Sequence, residues 1–423
     1  MKRLGIVLLL ITSVTLYAQK TPLEALQQLA LNENPGIKAA FSQWYASVEK
    51  QTLERSLPDP SVAFGYFVSP VETRLGPQEY RAGVSQQIPW FGTLEFRSRA
   101  AKSQAKADYY KLEIKANRIL KQVSVAYYQA WSAGKMVNIH QEQLKWLLAQ
   151  KKWLEQKYRD GSKSQADILR VKMAIDRQKE TIATYQDKLS EKTIQLNKLV
   201  NRGSETKIQM IDSVDVTALL QAANINESRL DSMNPELKQL HFRQEMMQYN
   251  SMAAKRSNYP AFNVGAEYIA VGERTDMDVS GNGTDAVVAK ISLKLPVNVN
   301  KNKAKVAMQD FKAERFNHLY QERKNELYTE LLTLQLNHQN AIRKLNLYMQ
   351  QAEDARYVEQ LLKSDYATGS TGFDEWLNIR RELLDYRQQI VLNKAQLKII
   401  DAKRKMILNG FDLNISQRKN TMQ

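Results

Sequence analysis

The sequence has 423 residues, a formal net charge of +16 and no cysteine, which excludes disulfide bonds, thiolate metal ligands and a cysteine nucleophile. Its 16 glycines and 10 prolines are few for this length, so the composition favours a largely helical protein. Lysines and arginines are interleaved with acidic residues along the chain, which is typical of solvated helix faces and argues against a nucleic-acid surface.

The first residues have the pattern of a secretory signal peptide. Lys2 and Arg3 precede an apolar run that ends at Leu16, and we expect cleavage after Ala18. The run is shorter than the ~20 apolar residues that a spanning helix needs, and a buried N-terminal helix is the alternative interpretation. The pattern predicts an exported protein with residues 1–18 as its signal peptide.

The rest of the chain shows its features twice, in the same order. Asn34-Pro35 recurs as Asn234-Pro235, and Gly161-Ser162 recurs as Gly369-Ser370. A strand-like segment pair and a long helical pattern lie between these markers in each half. We therefore predict a duplicated structural unit.

Two pairs of segments alternate between apolar and polar residues with a period of two. The four segments cover 61–68, 81–88, 262–269 and 287–295. Each has one apolar and one mostly polar face, as a transmembrane β-strand requires. The links at 69–79 and 273–285 are polar and rich in turn residues, so we expect both to be surface loops.

The alternation also predicts which strand residues face a water-filled lumen. These pore-lining candidates are Arg81, Ser85, Gln87, Asn263, Glu267, Lys290, Ser292 and Lys294. Four strands cannot close a barrel, and an open strand edge in lipid leaves backbone groups unpaired. Strands that lie in a membrane would therefore have to share one barrel among several protomers. The alternative is a small soluble sheet with one wet face.

Each strand pair is followed by a predicted hairpin of two long helices. A stripe of apolar residues at steps of four and three ends at Tyr158 and recurs in a stripe that ends at Tyr366, a period typical of coiled coils. Glu359 interrupts the second stripe. The first helix of each hairpin should begin near Thr93 or Lys301, and ~60 residues at ~1.5 Å each give ~90 Å. A helix of that length needs neighbours along its whole extent.

A tight turn is expected between the helices of each hairpin, at Gly161 and at Gly369. Glycine supplies the left-handed conformation that ends a helix. The expected caps of the following helices are Ser162 or Ser164 and Ser370 or Thr371.

Local motifs carry a family resemblance once this order is complete. Leu57-Pro58-Asp59-Pro60 leads into the first strand, the segment from Gln86 to Gly92 leads out of the second, and Asp167-Ile168-Leu169 follows Gly161. In its motifs and in the order of its features, essentially the whole mature chain resembles the TolC family of outer-membrane efflux proteins.

The resemblance implies a mainly α fold with a small transmembrane β part. Each protomer would have two long antiparallel coiled-coil hairpins and four β-strands, and a homotrimer would form a twelve-stranded barrel and an α-helical tube. It implies an outer-membrane location in a Gram-negative bacterium with a large periplasmic part, a periplasmic adaptor and an inner-membrane RND-type pump. The Pro89-Trp90-Phe91-Gly92 segment is most similar to the heavy-metal branch of the family.

The resemblance also implies roles for the hairpin turns. The predicted adaptor contacts are Gly161, Ser162, Asp167, Ile168, Leu169, Gly369 and Ser370. The predicted periplasmic gate consists of Asp365, Asp374 and Glu375, because a symmetric ring of acids selects cations and helps to hold a gate. The alternative for these acids is helix-end chemistry, which favours negative charge in a first turn by ~0.3–1 kcal/mol.

The resemblance implies the following division of the chain: 1–18 signal peptide; 19–56 periplasmic helices; 57–92 strands one and two; 93–203 first hairpin; 204–258 periplasmic helices between the repeats; 259–298 strands three and four; 299–410 second hairpin; 411–423 C-terminal tail.

Neither a catalytic site nor a cofactor nor a metal site is predicted. The sequence contains no nucleophile elbow, no zinc-ligand pair and no glycine-rich phosphate loop. His140 and His338 occupy positions in the apolar stripes, where we expect packed histidines. We predict a passive conduit that exports heavy-metal cations. The alternatives are a periplasmic coiled-coil adaptor or scaffold, and a TolC-like conduit for drugs or secreted proteins.

Overall fold

The computed structural model describes residues 21–220, 228–368 and 370–408. The predicted signal peptide, the adaptor candidate Gly369 and the C-terminal tail lie outside these ranges. The described residues are 71% helical and contain one antiparallel sheet of four strands, so the predicted fold class, mainly α with a small β part and a duplicated unit, is confirmed.

The helices in the described ranges are α1 (Pro22–Glu33), α2 (Pro35–Arg55), α3 (Thr93–Arg159), α4 (Gln165–Leu199), α5 (Ser228–Met233), α6 (Pro235–Arg256), α7 (Val299–Thr368) and α8 (Phe373–Leu408). The strands are β1 (Ser61–Thr73), β2 (Gly76–Ile88), β3 (Ala261–Val271) and β4 (Ala286–Lys294). A helix both long and apolar enough to cross a bilayer does not occur among the described residues.

The chain forms two compact units. Of the described residues, the turn unit contains those within 21–34, 122–216 and 345–399, and the sheet unit contains those within 35–121, 217–344 and 400–408. The turn unit contains the connections between the paired long helices. The sheet unit contains all four strands.

The turn between α3 and α4 has the conformation that its glycine predicts. Gly161 has a φ of 69°, and its N–H donates to the carbonyl oxygen of Tyr158 at 3.0 Å. The N–H of Ser162 donates to the carbonyl oxygen of Lys157, also at 3.0 Å, which completes a Schellman motif. Ser164 caps α4, because its hydroxyl accepts from the N–H of Ala166.

The second turn repeats only part of this arrangement. The N–H of Ser370 donates to the carbonyl oxygen of Asp365 at 2.8 Å, the counterpart of the bond made by Ser162. The hydroxyl of Thr371 bonds the carboxylate of Glu375 rather than a backbone N–H of α8. Of the two expected caps for α8, neither is seen to accept from its first turn.

An aromatic cluster packs in the turn unit between the ends of the four long helices. Its buried members are Leu147, Leu154, Val171, Ile175, Tyr366, Phe373, Trp376 and Leu377, with Trp146, Trp153 and Ile168 against them. The two stripe-ending tyrosines are not equivalent, since Tyr366 is 3% exposed and Tyr158 is 46% exposed. Tyr366 is buried because its ring contacts Phe373 and Trp376 of the second repeat and Trp153 of the first.

The sheet is a meander with the order β1-β2-β3-β4, so β1 and β4 are its two edges. β1 continues to Thr73 and β2 begins at Gly76, so the expected loop at 69–79 is wrong. Pro70 lies in a shift of the β1–β2 register, and an edge strand tolerates such a proline. Gly76 has a φ of 127°, and a Cβ there would lie 1.8 Å from the carbonyl oxygen of Gly272, so only glycine fits.

Candidate channel surface

The register of the sheet brings the predicted pore-lining residues to one face. Gln87 lies opposite Asn263, and Asn263 lies opposite Ser292 on the next strand. Directly opposed residues of an antiparallel sheet share a face, and every second residue of a strand returns to it. The face defined in this way, here called the polar face, contains all eight candidates. That they line a pore stays a prediction.

An ion cluster occupies the middle of the polar face. The carboxylate of Glu267 lies 3.5 Å from Nε of Arg81 on β2 and forms an ion pair with Lys290 on β4. Lys294 adds a third basic side chain to this face. The surplus of positive charge gives the polar face an electrostatic preference for anions.

Glycines bring the strands of the polar face close together. A Cβ on Gly265 would lie 2.6 Å from the carbonyl oxygen of Val84, closer than any real side chain approaches. Gly83 is also tight, since its Cβ would lie 3.3 Å from the carbonyl oxygen of Ala266. The sequence pattern marked these positions only as polar-face positions and missed the close backbone approach.

The opposite face of the sheet, here called the apolar face, is exposed. Val62 is 81% exposed and Ile291 is 77% exposed. Its further exposed members are Phe64, Tyr66, Tyr80, Val84, Val264, Tyr268, Val287 and Leu293. A contiguous apolar surface of this extent marks an interaction with lipid or with another protein.

The gate candidates lie around the second turn. Oδ2 of Asp374, in the first turn of α8, accepts from Nη1 of Arg170 on α4 at 2.8 Å, and Arg170 also reaches Asp167 at 3.3 Å. Glu375 bonds Thr371, and the main chain of Asp365 accepts from Ser370. Within one protomer the carboxylates of Asp374 and Glu375 therefore have local partners, whereas Asp365 accepts hydrogen bonds through its main-chain carbonyl. The role of the three acids as a gate stays a prediction.

The adaptor candidates differ in accessibility. A Cβ on Gly161 would meet nothing within 4 Å, and Leu169 is exposed. Ile168 instead packs against the aromatic cluster, so its side chain is engaged in the core. Ser162 donates its hydroxyl to the carbonyl oxygen of Lys157. The surface available to an adaptor at the first turn is therefore centred on the glycine and the exposed leucine.

Arg380 forms a partly buried polar network that the sequence pattern did not reveal. Its Nη1 donates to both carboxylate oxygens of Glu359, at 2.9 and 3.1 Å, and its Nε donates to Gln143 at 3.0 Å. Its guanidinium also lies 5.2 Å from the ring centroid of Trp146. The polar gap at Glu359 in the apolar stripe is therefore the position of an ion pair that joins α7, α8 and α3.

Comparison with known proteins identifies the family. The family model described as outer membrane efflux protein matches residues 26–202 and 228–403, which is one match to each repeat. The chain belongs to this family, the TolC family of outer-membrane efflux proteins. Its members are passive channels, so this efflux protein is a channel and not an enzyme.

Solved structures share the fold of this efflux protein. CusC, studied for its folding and transmembrane channel formation, is 15% identical with a TM-score of 0.77, covering 92% of each chain. The outer-membrane channel OprN is 16% identical with a TM-score of 0.77, covering 92% of this chain and 90% of its own. The CmeC outer-membrane channel of Campylobacter jejuni is 13% identical with a TM-score of 0.75, covering 95% and 89%. No curated protein sequence matches the chain.

The histidines of this efflux protein do not form a metal centre in the described part of the chain, where no three His, Asp or Glu side chains are grouped to hold an ion. His140 is buried, its Nδ1 lies 2.6 Å from Nε2 of Gln178, and its ring stacks on Tyr185. Burial lowers the pKa of His140 below its usual 6.5. Burial also raises the pKa of Tyr366 to about 12, with a smaller contribution from Asp167.

Proposed function

We propose that this chain is the outer-membrane channel subunit of a tripartite efflux system, through which substrate leaves the periplasm or an inner-membrane pump for the outside. The observation that carries the proposal is the two-faced sheet, whose apolar face is exposed while its polar face holds Arg81, Glu267 and Lys290. Such a sheet suits lipid on one side and water on the other. A periplasmic scaffold would not need an exposed apolar sheet face.

The open edges of the sheet support a shared barrel. β1 and β4 each pair on one side only, and unpaired backbone groups are very costly in hydrocarbon. Pairing β1 of one protomer with β4 of the next would remove both edges. We propose a homotrimer, the assembly that the family resemblance implies, with 57–92 and 259–298 in the membrane.

The helical segments would then form the periplasmic part. We propose that the hairpins 93–203 and 299–410 build the tube, joined by the helices at 19–56 and 204–258. The turns at Gly161 and Gly369 would meet the adaptor, and Asp365, Asp374 and Glu375 would ring the entrance. The exposed Leu169 supports the adaptor role, and the link between Asp374 and Arg170 supports a closed entrance held by weak ion pairs.

The cargo proposal is a heavy-metal cation. It is supported by the Pro89–Gly92 motif alone, and the positive surplus of the polar face weighs against bare cations. Drugs and secreted proteins are the competing cargoes. Deletion of the gene decides among them: hypersensitivity to copper, silver, cobalt or zinc, restored by the intact gene, supports metal export. Normal metal tolerance together with lost drug tolerance would overturn the proposal of a metal cargo.

The shared barrel can be tested with cysteines, because the native chain has none. Double variants would place one cysteine at Phe64 or Tyr66 on β1 and one at Val287, Ala289 or Ile291 on β4, all on the apolar face. At least one pair should give covalent dimers and trimers on oxidation in membranes.

The matched control pairs two positions inside one sheet. Ala82 and Tyr268 lie directly opposite each other on β2 and β3, so cysteines there should cross-link without changing the mass of the monomer. If the control forms and every edge pair stays monomeric, the shared barrel is wrong. Extraction of the wild-type protein by carbonate would also contradict a membrane location.

A further inference from the structure

A cavity of about 630 Å³ lies in the sheet unit where the strands lead into the long helices. Its walls come from the end of β2, the start of α3, the end of β4 and the start of α7. The volume falls within the range of sites for small organic ligands. Trp90 and Tyr259 line the cavity, and their rings stack with centroids 5.2 Å apart. These two stacked rings form one wall of the cavity.

The charged side chains that line the cavity are all basic. Arg97, Lys294, Lys301 and Lys305 line it, and none of its lining residues in the described chain is acidic. Within the same ranges these four side chains form no ion pair. Lys301 and Lys305 stand one helical turn apart on α7, where like charges repel. A bound anion would relieve that repulsion.

A second observation also points to a ligand. Thr93 lines the cavity, is 1% exposed, and its hydroxyl has no hydrogen-bond partner among the described residues. It lies one turn before Arg97 on the same face of α3. A buried hydroxyl without a partner is unusual in a folded protein. It is available to donate to an oxygen of a ligand held by the neighbouring cations.

We propose that this cavity binds an anion with two or more phosphate groups. Guanidinium and ammonium groups with a hydroxyl donor are the usual partners of phosphate oxygens. Gln87 and Lys294, which line the cavity, belong to the polar face, so the ligand enters from the watery side of the sheet. This favours a soluble phosphate compound over a phosphorylated lipid headgroup, the other source of the same chemistry.

Calorimetric titration of the purified full-length protein in detergent tests the site. Pyrophosphate is the soluble probe, and cardiolipin in mixed micelles is the lipid probe. The double variant Lys301→Gln/Lys305→Gln should weaken pyrophosphate binding at least about tenfold, since each lost charge-assisted bond is strong. Lys301→Arg should keep binding, and Thr93→Val should weaken it several-fold.

The matched control is Lys303→Gln, which removes the same charge from the same helix at an exposed position outside the cavity. Unchanged pyrophosphate binding by this variant supports a built site. An equal loss in Lys303→Gln and in the double variant would mean a general charge effect and would overturn the site. If neither pyrophosphate nor cardiolipin binds, the proposed site is overturned. If cardiolipin binds and pyrophosphate does not, the proposal of a soluble ligand is overturned. Channel function does not require this site, so none of these results touches the channel proposal.

Discussion

The side-chain amide of Asn234 donates a hydrogen bond of 2.8 Å to the main-chain carbonyl oxygen of Ile407, 173 positions along the chain. Its Oδ1 accepts from the N–H groups of Glu236 and Leu237, at 2.9 and 3.2 Å. One buried side chain thus caps α6 and satisfies a carbonyl in the last turn of α8. Helix geometry leaves N–H groups unpaired at the start of α6 and carbonyl groups unpaired at the end of α8. Asn234 forms hydrogen bonds with groups at both of these helix ends.

The same arrangement occurs in the first repeat. The side-chain amide of Asn34 donates to the carbonyl oxygen of Leu199, also at 2.8 Å. The duplication therefore extends to a single hydrogen bond that ties the start of a short helix to the end of a long one. The repeated Asn-Pro pair is a structural device: proline is favourable at the first helical position, where no N–H is needed.

We expect Asn234→Ala to lower the free energy of unfolding by about 1–3 kcal/mol, because it removes a cap and leaves a buried carbonyl unpaired. Asn234→Asp keeps a capping oxygen but loses the donor to Ile407, so it should also destabilise. Thermal melting of the helical signal in detergent measures both. Asn340→Ala, at an exposed position of α7, is the control and should stabilise slightly, by about 0.5 kcal/mol, because alanine is the better helix former. Equal melting of Asn234→Ala and wild type would contradict the double role.

The buried His140 predicts a pH dependence of stability. Its folded pKa lies below its unfolded value of 6.5, so the unfolded chain binds more protons between the two values. The contribution of neutral, buried His140 to the free energy of unfolding is complete above about pH 6.5. It declines as the pH falls from there toward the folded pKa. His140→Gln should flatten this decline in melts from pH 8 to 5. His318→Gln, at an exposed site, should keep the wild-type slope; a slope unchanged in both variants would exclude His140 as its source.

Local rules predicted the features that depend on local backbone chemistry. Gly161 has the left-handed conformation expected from its place after a long apolar stripe, and α3 begins at the expected Thr93. The period of two predicted which strand residues share a face, because a register is fixed once one face is apolar. These inferences required no knowledge of tertiary contacts.

Tertiary contacts decided what the sequence could not predict. Pro70 and Gly76 indicated a loop, but the edge position of β1 and a bulge allow the strand to pass through them. Tyr158 and Tyr366 occupy matching positions, and only packing against Phe373 and other aromatic residues buries the second. The cluster of cations around the cavity comes from segments far apart in sequence, so no spacing rule reveals it.

The ion pair between Arg380 and Glu359 should contribute measurably to stability, because both side chains are mostly buried. Glu359→Gln keeps the shape and removes the charge, and we expect a loss of about 1–3 kcal/mol. The double variant Glu359→Gln/Arg380→Met should be less destabilised than the sum of the two single changes. Chemical denaturation of the four proteins measures the coupling. Simple additivity would show that the pair is not coupled.

The two faces of β4 predict opposite tolerance for charge at neighbouring positions. Ile291→Lys places a charge on the apolar face and should destabilise the inserted protein by about 2–4 kcal/mol if the position lies near the bilayer midplane. Ser292→Lys places the same charge on the polar face and should be tolerated. Heat resistance of the assembly on gels and its yield in outer membranes measure the difference. A soluble sheet would tolerate both changes, so equal behaviour would contradict the membrane location.

The ion pair between Arg170 and Asp374 predicts a weak and salt-sensitive restraint on the entrance. Both side chains are about half exposed, so the pair contributes only about 0–1 kcal/mol, and salt screens it. Arg170→Ala should raise the open population of single channels in planar bilayers by up to about fivefold at low salt, the factor that corresponds to about 1 kcal/mol. The difference from wild type should shrink at 1 M salt, where the screening length is about 3 Å. Arg177→Ala, an exposed position on the same helix, is the control and should conduct as wild type. Identical conductance of the Arg170→Ala and Arg177→Ala variants at low salt would show that the acids at this turn serve only as helix-end charges.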